Sequence, residues 1–225
     1  MENLVIAIDG PAGAGKSTVA QILAQRLQYN YIDTGAMYRA AAWKVIQSGI
    51  DIKSVSAVID VINSTDISLK YYDGKTSVFV DGNNVTADIR TPEISNLVPK
   101  VAQIREVRDA MLYLQRQMAD AGKVVMDGRD IGTHVLPNAN IKIFLTASID
   151  ERANRRWREL INKGFSVDLK ELKKQIAERD KTDSERDVAP LTQAVDAVLI
   201  DTTGLTIEQA VSKILDLVRR ESTLV

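Results

Sequence analysis

No stretch of this chain limits its fold as tightly as Leu4–Leu27, LVIAIDGPAGAGKSTVAQILAQRL. Leu4, Val5, Ile6, Ala7 and Ile8 run to Asp9 as a strand buried on both faces would. Gly10-Pro11-Ala12-Gly13-Ala14-Gly15-Lys16-Ser17 then matches G-x-x-x-x-G-K-[ST], and Val19, Ala20, Leu23 and Leu27 share one helical face after it. Strand, glycine loop and helix in that order make a cradle for phosphate. Glycines let backbone N–H groups turn inward around anionic oxygens, and the helix N-terminus adds the positive end of its dipole. Gly10 to Thr18 is therefore the candidate triphosphate segment. Lys16 is spaced to reach the outer phosphates, and the Ser17 hydroxyl to hold Mg²⁺.

The remaining pattern alternates strands with helices. Tyr29–Asp33 reads as a strand, and Ala36–Ile46 as a helix closed by Gly49; Arg39 lies one turn in, near enough to Thr34 to share a ligand. A short helix is expected over 53–63. From Asp66 to Arg90 the period changes to alternation, with turns at Asp73-Gly74 and Asp81-Gly82, which predicts a three-stranded antiparallel insertion whose last strand is Val85–Ile89. Thr91-Pro92-Glu93 opens a helix that Pro99 is expected to break after two turns. Further helices are expected over 104–121, from the Ser148–Glu151 capping box to Gly164, over 168–181, and from the Thr206–Gln209 capping box to Arg220. Lys123–Asp127, Ile141–Leu145 and Ala197–Asp201 complete five buried strands. The class is α/β, a mostly parallel doubly wound sheet.

Composition narrows the partners. Lys plus Arg number 29 against 30 Asp plus Glu, so no global field recruits nucleic acid or membrane. Cysteine is absent, which excludes disulfides and thiolate chemistry. The start MENLVIAIDG lacks a basic n-region, and no apolar run is long enough for a membrane span; a cytoplasmic monomer is expected. Charge is uneven only between Arg152 and Arg186, where eleven Lys and Arg face seven Asp and Glu. Arg152, Arg155, Arg156 and Arg158 on one helix suit a lid over phosphate. Asp127 ends its strand like a Walker B carboxylate, acting on Mg²⁺ through water.

Three classes of P-loop protein compete. A GTPase needs an [NT]KxD element, which is missing. An ATP-driven switch or binding protein stays open. A small-molecule kinase fits the size, the inserted sheet and the arginines near strand ends, because phosphoryl transfer needs charge neutralisation and alignment more than a base.

IDGPAGAGKST, YIDTGAMYRA, DGRDIGT, KIFLTAS with ERANRR, and ERDKTDSERDVAPL resemble the bacterial cytidylate kinases, in the same order and over essentially the whole chain. The resemblance implies ATP- and Mg²⁺-dependent phosphorylation of CMP and dCMP. It puts Thr34, Arg39 and Arg129 at the CMP phosphate, Arg108 and Asp130 on the cytosine edge, and Asp183 with Arg186 near ribose and phosphate. Lys16, Arg129, Arg155, Arg156 and Arg186 would be the catalytic cations, Arg155 and Arg156 in the lid. It also implies a core at 1–33, 104–150 and 187–225, an acceptor insertion at 34–103 with its sheet at about 66–90, and a lid at 151–186. The Leu4–Ile8 strand would lie between those of Lys123 and Ile141. Two positions depart from the family: Pro99 stands where relatives have a serine on cytosine, and His134 where they have an aliphatic residue. Since phosphate monoesters are already ionised nucleophiles, His134 is expected to be structural.

Overall fold

In the computed structural model, which describes residues 3–72 and 74–221, the expected strands pair into one five-stranded sheet. β1 (Val5–Asp9) is followed by α1 (Lys16–Leu27), β2 (Asn30–Asp33), α2 (Thr34–Gln47) and α3 (Val55–Asn63). The small sheet is β3 (Ile67–Tyr72), β4 (Lys75–Val80) and β5 (Asn83–Asn84), after which come α4 (Pro92–Val101), α5 (Arg105–Ala119) and β6 (Val124–Asp127). β7 (Ile141–Thr146), α6 (Ile149–Asn162), α7 (Leu169–Glu185), β8 (Val198–Asp201) and α8 (Ile207–Glu221) complete the chain. The order is β2-β6-β1-β7-β8, every pairing is parallel, and β1 is central as the family resemblance implied.

Period-two alternation distributes the strands between two apolar layers. Ala7, Ile32, Val124 and Met126 face α2, α3, α4, α5 and the inner side of the small sheet. Ile6, Ile8, Tyr31, Val125 and Ile143 face α1 and α8. Burial on both faces is what makes such strands continuous apolar runs. Ligand chemistry is left to the carboxyl ends of the strands, where open α/β sheets place it.

Several boundaries differ from expectation, each for a local reason. The third strand of the small sheet is Asn83–Asn84, not Val85–Ile89. Val85 N–H still bonds Val78 O at 2.9 Å, but Ile89 N–H turns back to Val85 O at 3.1 Å, burying Val85 and Ile89 beneath the sheet. The turn expected at Asp73-Gly74 involves Asp73, which lies outside the described residues; Tyr72 and Lys75 pair across it. Pro99 sits inside α4 and does not break it. In the last turn it removes a single helical hydrogen bond, while Val98 and Val101 are buried in the layer against α2 and hold the turn. α7 runs four residues past Lys181 to Glu185. α2 begins at Thr34 because the Asp33 carboxylate accepts from Ala36 N–H at 2.8 Å and caps it. Thr206 and Gln209 satisfy each other's N–H groups at 2.9 and 3.2 Å, the reciprocal form of the box. Among the described residues no helix is long and apolar enough to cross a membrane.

Candidate active site

Three neighbouring strands end in carboxylates, Asp33 on β2, Asp127 on β6 and Asp9 on β1, and the site is built around them. The loop from Gly10 to Gly15 folds over the end of β1. Gly10 has φ of 143°, and a Cβ there would stand 1.9 Å from Leu145 O, so only glycine lets the loop pass β7. Gly15 caps α1 at φ 92° with no side-chain acceptor, leaving the first helical N–H groups as donors for an anion. Lys16 is buried and donates to Pro11 O at 2.9 Å. Burial pushes its ammonium down to about 7, and the Arg129 charge adds to the shift. An anion in the loop opposes both effects.

Asp127 collects the hydroxyls. Ser17 Oγ donates to one of its oxygens at 3.0 Å and Tyr31 Oη to the other at 2.7 Å, while Thr34 Oγ1 donates to its backbone carbonyl at 2.7 Å. Burial raises the Asp127 carboxyl to about 6, with Asp33 next in effect. Among the described residues no three carboxylates or imidazoles form a cation cage. The donor set is one hydroxyl backed by one carboxylate, which suits a hard divalent cation arriving with a nucleotide and retaining its waters.

Asp9 serves the neighbouring turn. Its two oxygens accept from Ile131 N–H at 2.8 Å and Gly132 N–H at 2.7 Å, fastening the single π-type turn Ile131–Val135 that follows Arg129 and Asp130. Burial raises the Asp9 carboxyl to about 6 despite those donors.

The residues expected on the acceptor side form three ion-pair groups. Buried Asp130 receives Arg108 on one oxygen and Arg186, at 3.3 Å, on the other. Arg108 also lies 5.9 Å from the Tyr38 ring centroid, and Arg186 is aimed by Ala189 O at 2.7 Å. Arg129 Nε pairs with Asp183 at 2.8 Å. Burial works against the Arg129 charge, but Asp183 outweighs it and holds the guanidinium more firmly protonated than usual. Burial likewise works against the Asp183 carboxylate, yet Arg129 and Arg179 draw it below the usual range. Arg39 pairs with Asp33 at 2.8 Å, on the strand beside Asp127, whose carbonyl takes the Thr34 hydroxyl.

On α6 the arginines divide. Arg152 is buried, donating to Ala147 O at 2.9 Å and to Ala12 O in the loop at 3.0 Å, and pairing with Asp180 of α7 at 2.6 Å. Arg155 binds Glu151 at 2.9 Å, Thr202 O at 2.7 Å and Ala14 O at 3.4 Å. Arg156 pairs along its own helix with Glu159 at 2.8 Å. His134 is exposed, and Arg116 holds its backbone carbonyl at 2.9 Å.

Sequence reading passed over Arg179. It lies on α7 one turn before Asp183, and its buried Nε has no hydrogen-bond partner among the described residues. Burial, reinforced by Arg129, lowers the guanidinium to about 10. A half-buried cation with an unbonded Nε beside Arg129 and Arg39 suits a dianionic group. Its signal was the i, i+4 spacing to Asp183 in ERDKTDSER. Asp9 had no signal beyond ending its strand, and Tyr31 none beyond lying inside one.

The sequence model of the cytidylate kinase family matches residues 6–220. The chain is similar to the cytidylate kinase of Bacillus subtilis strain 168, with 52% identity over 221 residues covering 98% of this chain and 99% of that one. It is 54% identical to the cytidylate kinase of Geobacillus sp. strain WCH70 over 216 residues, 96% of each. Among solved structures, an uncharacterized protein from Eubacterium ventriosum is similar at TM-score 0.55 and 14% identity, covering 97% of this chain and 99% of that one. A gluconokinase from Sinorhizobium meliloti follows at TM-score 0.50 and 16% identity, covering 99% and 95%. At such identities these two speak for the fold alone.

Proposed function

The chain belongs to the cytidylate kinase family, and from that premise we propose that it moves the γ-phosphoryl group of ATP to CMP or dCMP, giving CDP or dCDP and ADP. The observation that carries this reading is the buried Arg108–Asp130–Arg186 network beside the phosphate loop. Cytosine shows an amino donor beside the N3 and O2 acceptors. Asp130 accepts from the amino group and Arg108 donates to the acceptors, whereas uracil would set its own oxygen against the carboxylate.

Arg39, Arg129 and Arg179 hold the acceptor phosphate, and Asp183 orients Arg129 with Arg186 near the ribose. An oxygen of that phosphate attacks the γ-phosphorus as the bond to the ADP oxygen breaks. The acceptor is already an anion, so the chain supplies no base, and His134 stays outside the reaction. The loop from Gly10 to Thr18 binds the triphosphate, and Lys16 leaves Pro11 O to follow the charge as it develops. Ser17 and Asp127 would hold Mg²⁺, which supplies charge neutralisation on the phosphate oxygens when bound. Residues 34–103 carry the acceptor side, and 151–186 form a lid that brings Arg155 and Arg156 over ATP. Nucleotides are the partners of a cytoplasmic monomer that engages neither membrane nor nucleic acid, consistent with its balanced charge.

The test is a coupled kinase assay with ATP against CMP, dCMP, UMP, AMP and shikimate, on the wild type and on Asp130→Asn. Wild type should prefer CMP and dCMP. The amide of the variant can donate to uracil's C4 oxygen, so the CMP-to-UMP ratio of kcat/KM should narrow at least tenfold, ~1.4 kcal/mol. A parallel fall for both bases would remove Asp130 from base choice. ATP turnover indifferent to every acceptor would favour a switch ATPase.

A further inference from the structure

Tyr31 has no part in phosphoryl transfer as described above, yet it is buried within β2, two residues before Asp33, and its hydroxyl meets Asp127 at 2.7 Å. Asp127 is thereby held at both oxygens, since Ser17 Oγ occupies the other at 3.0 Å. The Ser17 proton points at the carboxylate, so its lone pairs face away and stay free for a cation. On its far side the Tyr31 ring is met edge-on by Tyr71, with centroids 6.0 Å apart and planes at 79°. Tyr71 belongs to β3 of the small sheet, whose tip is docked on α1: Tyr71 Oη reaches Gln21 O at 3.4 Å, and Gln21 Nε2 bonds Gly74 O. A continuous line of contacts therefore runs from the inserted sheet to the Ser17 hydroxyl.

We propose that Tyr31 is a positioning residue for the nucleotide-borne cation, fixing Asp127 toward Ser17, and that Tyr71 makes the inserted sheet part of that support. The inference rests on the reading of Ser17 and Asp127 as the cation-side pair. Partners of this kind orient the groups that face a metal, and losing one typically weakens metal affinity by roughly 10–100-fold. It gives the small sheet a task on the donor side of the site, apart from any contact with the acceptor.

Tyr31→Phe deletes the donor and keeps the ring. The readout is calorimetric affinity for a non-hydrolysable ATP analogue, measured with Mg²⁺ and with chelator, alongside the thermal midpoint. The gain in affinity that Mg²⁺ confers should fall by about tenfold, with metal-free affinity and KM for CMP within twofold of wild type. Tyr71→Ala should move the gain in the same direction by about threefold. An unchanged gain in Tyr31→Phe, or equal losses with and without Mg²⁺, overturns the proposal; the latter marks a purely structural tyrosine. If Tyr71→Ala leaves the gain intact while Tyr31→Phe lowers it, the part assigned to the inserted sheet is wrong. Asp127→Asn separates the two levels. If it too leaves the gain unchanged, the cation-side reading of Asp127 fails, and with it the inference. If it lowers the gain and Tyr31→Phe does not, only the tyrosine link fails.

Discussion

Lys16 illustrates how one side chain waits for its substrate. Folded onto Pro11 O, with burial drawing its ammonium down to about 7, it is held more firmly in its charged form once an anion occupies the loop. Such a group acts more on the transition state than on ground-state binding. Lys16→Ala should therefore lower kcat by roughly a hundredfold, ~3 kcal/mol, with the far-ultraviolet dichroism unchanged; turnover within threefold of wild type would remove Lys16 from catalysis. His134 is the opposite case, an imidazole at the surface whose described hydrogen bonds are both made by its backbone. His134→Val should leave activity within a few-fold and the pH profile near neutrality unaltered, whereas loss of a limb between pH 6 and 7 would show that it titrates in the reaction. Lys16 could be read from its motif. Arg179 was only half legible: its i, i+4 spacing to Asp183 was visible, but nothing in the order of residues says that α7 turns that face toward Arg129.

At the scale of elements, what was legible is what neighbours in the chain decide. The β1 run, the Gly49 stop after α2, the Thr91 and Ser148 caps of α4 and α6 and the Thr206–Gln209 box stand within a residue or two of their expected places, although Ser148 N–H bonds Thr203 and leaves its own box half-formed. Pro99 and Val85–Ile89 were misread because tertiary burial overrides local preference there, through Val98 and Val101 in one case and Ile89 in the other. The small sheet also shares its buried side with α2, since Ile67, Val78 and Val80 lie in the same apolar layer as Met37 and Ala41. If closure moves this region, α2 and β3–β5 should move together. Hydrogen exchange with and without CMP plus a non-hydrolysable ATP analogue should show amides of α6 and α7 gaining protection, and α2 and β3–β5 changing in step. Equal protection of α6 and α7 in both states would refute a closing lid; changes in β3–β5 without α2 would refute the joint body.

The whole molecule places ionisable groups at the dry end of its sheet, and that has a sign. Asp9 ionises at about 6 in the folded chain against 3.8 for the free carboxyl, so the folded state binds the proton more tightly. Its contribution to stability is full below pH 4 and is lost as pH rises toward 6, on the order of 2–3 kcal/mol. Urea unfolding from pH 4 to 8 should show wild type losing stability relative to Asp9→Asn across that window; parallel curves would mean that the Ile131 and Gly132 donors already compensate the charge.

The ion pairs on the acceptor side carry one more consequence. Arg108 and Arg186 share Asp130, Arg129 faces Asp183 and Arg39 faces Asp33 before any nucleotide arrives, so most of the cleft's positive charge is already offset at close range. Its pull on a dianion is short-ranged and takes effect through exchange of partners at contact. CMP association should therefore slow only slightly as ionic strength rises, unlike capture by an open basic groove. Small free anions such as sulfate, too compact to engage Asp130 while displacing Asp183 from Arg129, should compete poorly with the nucleotide.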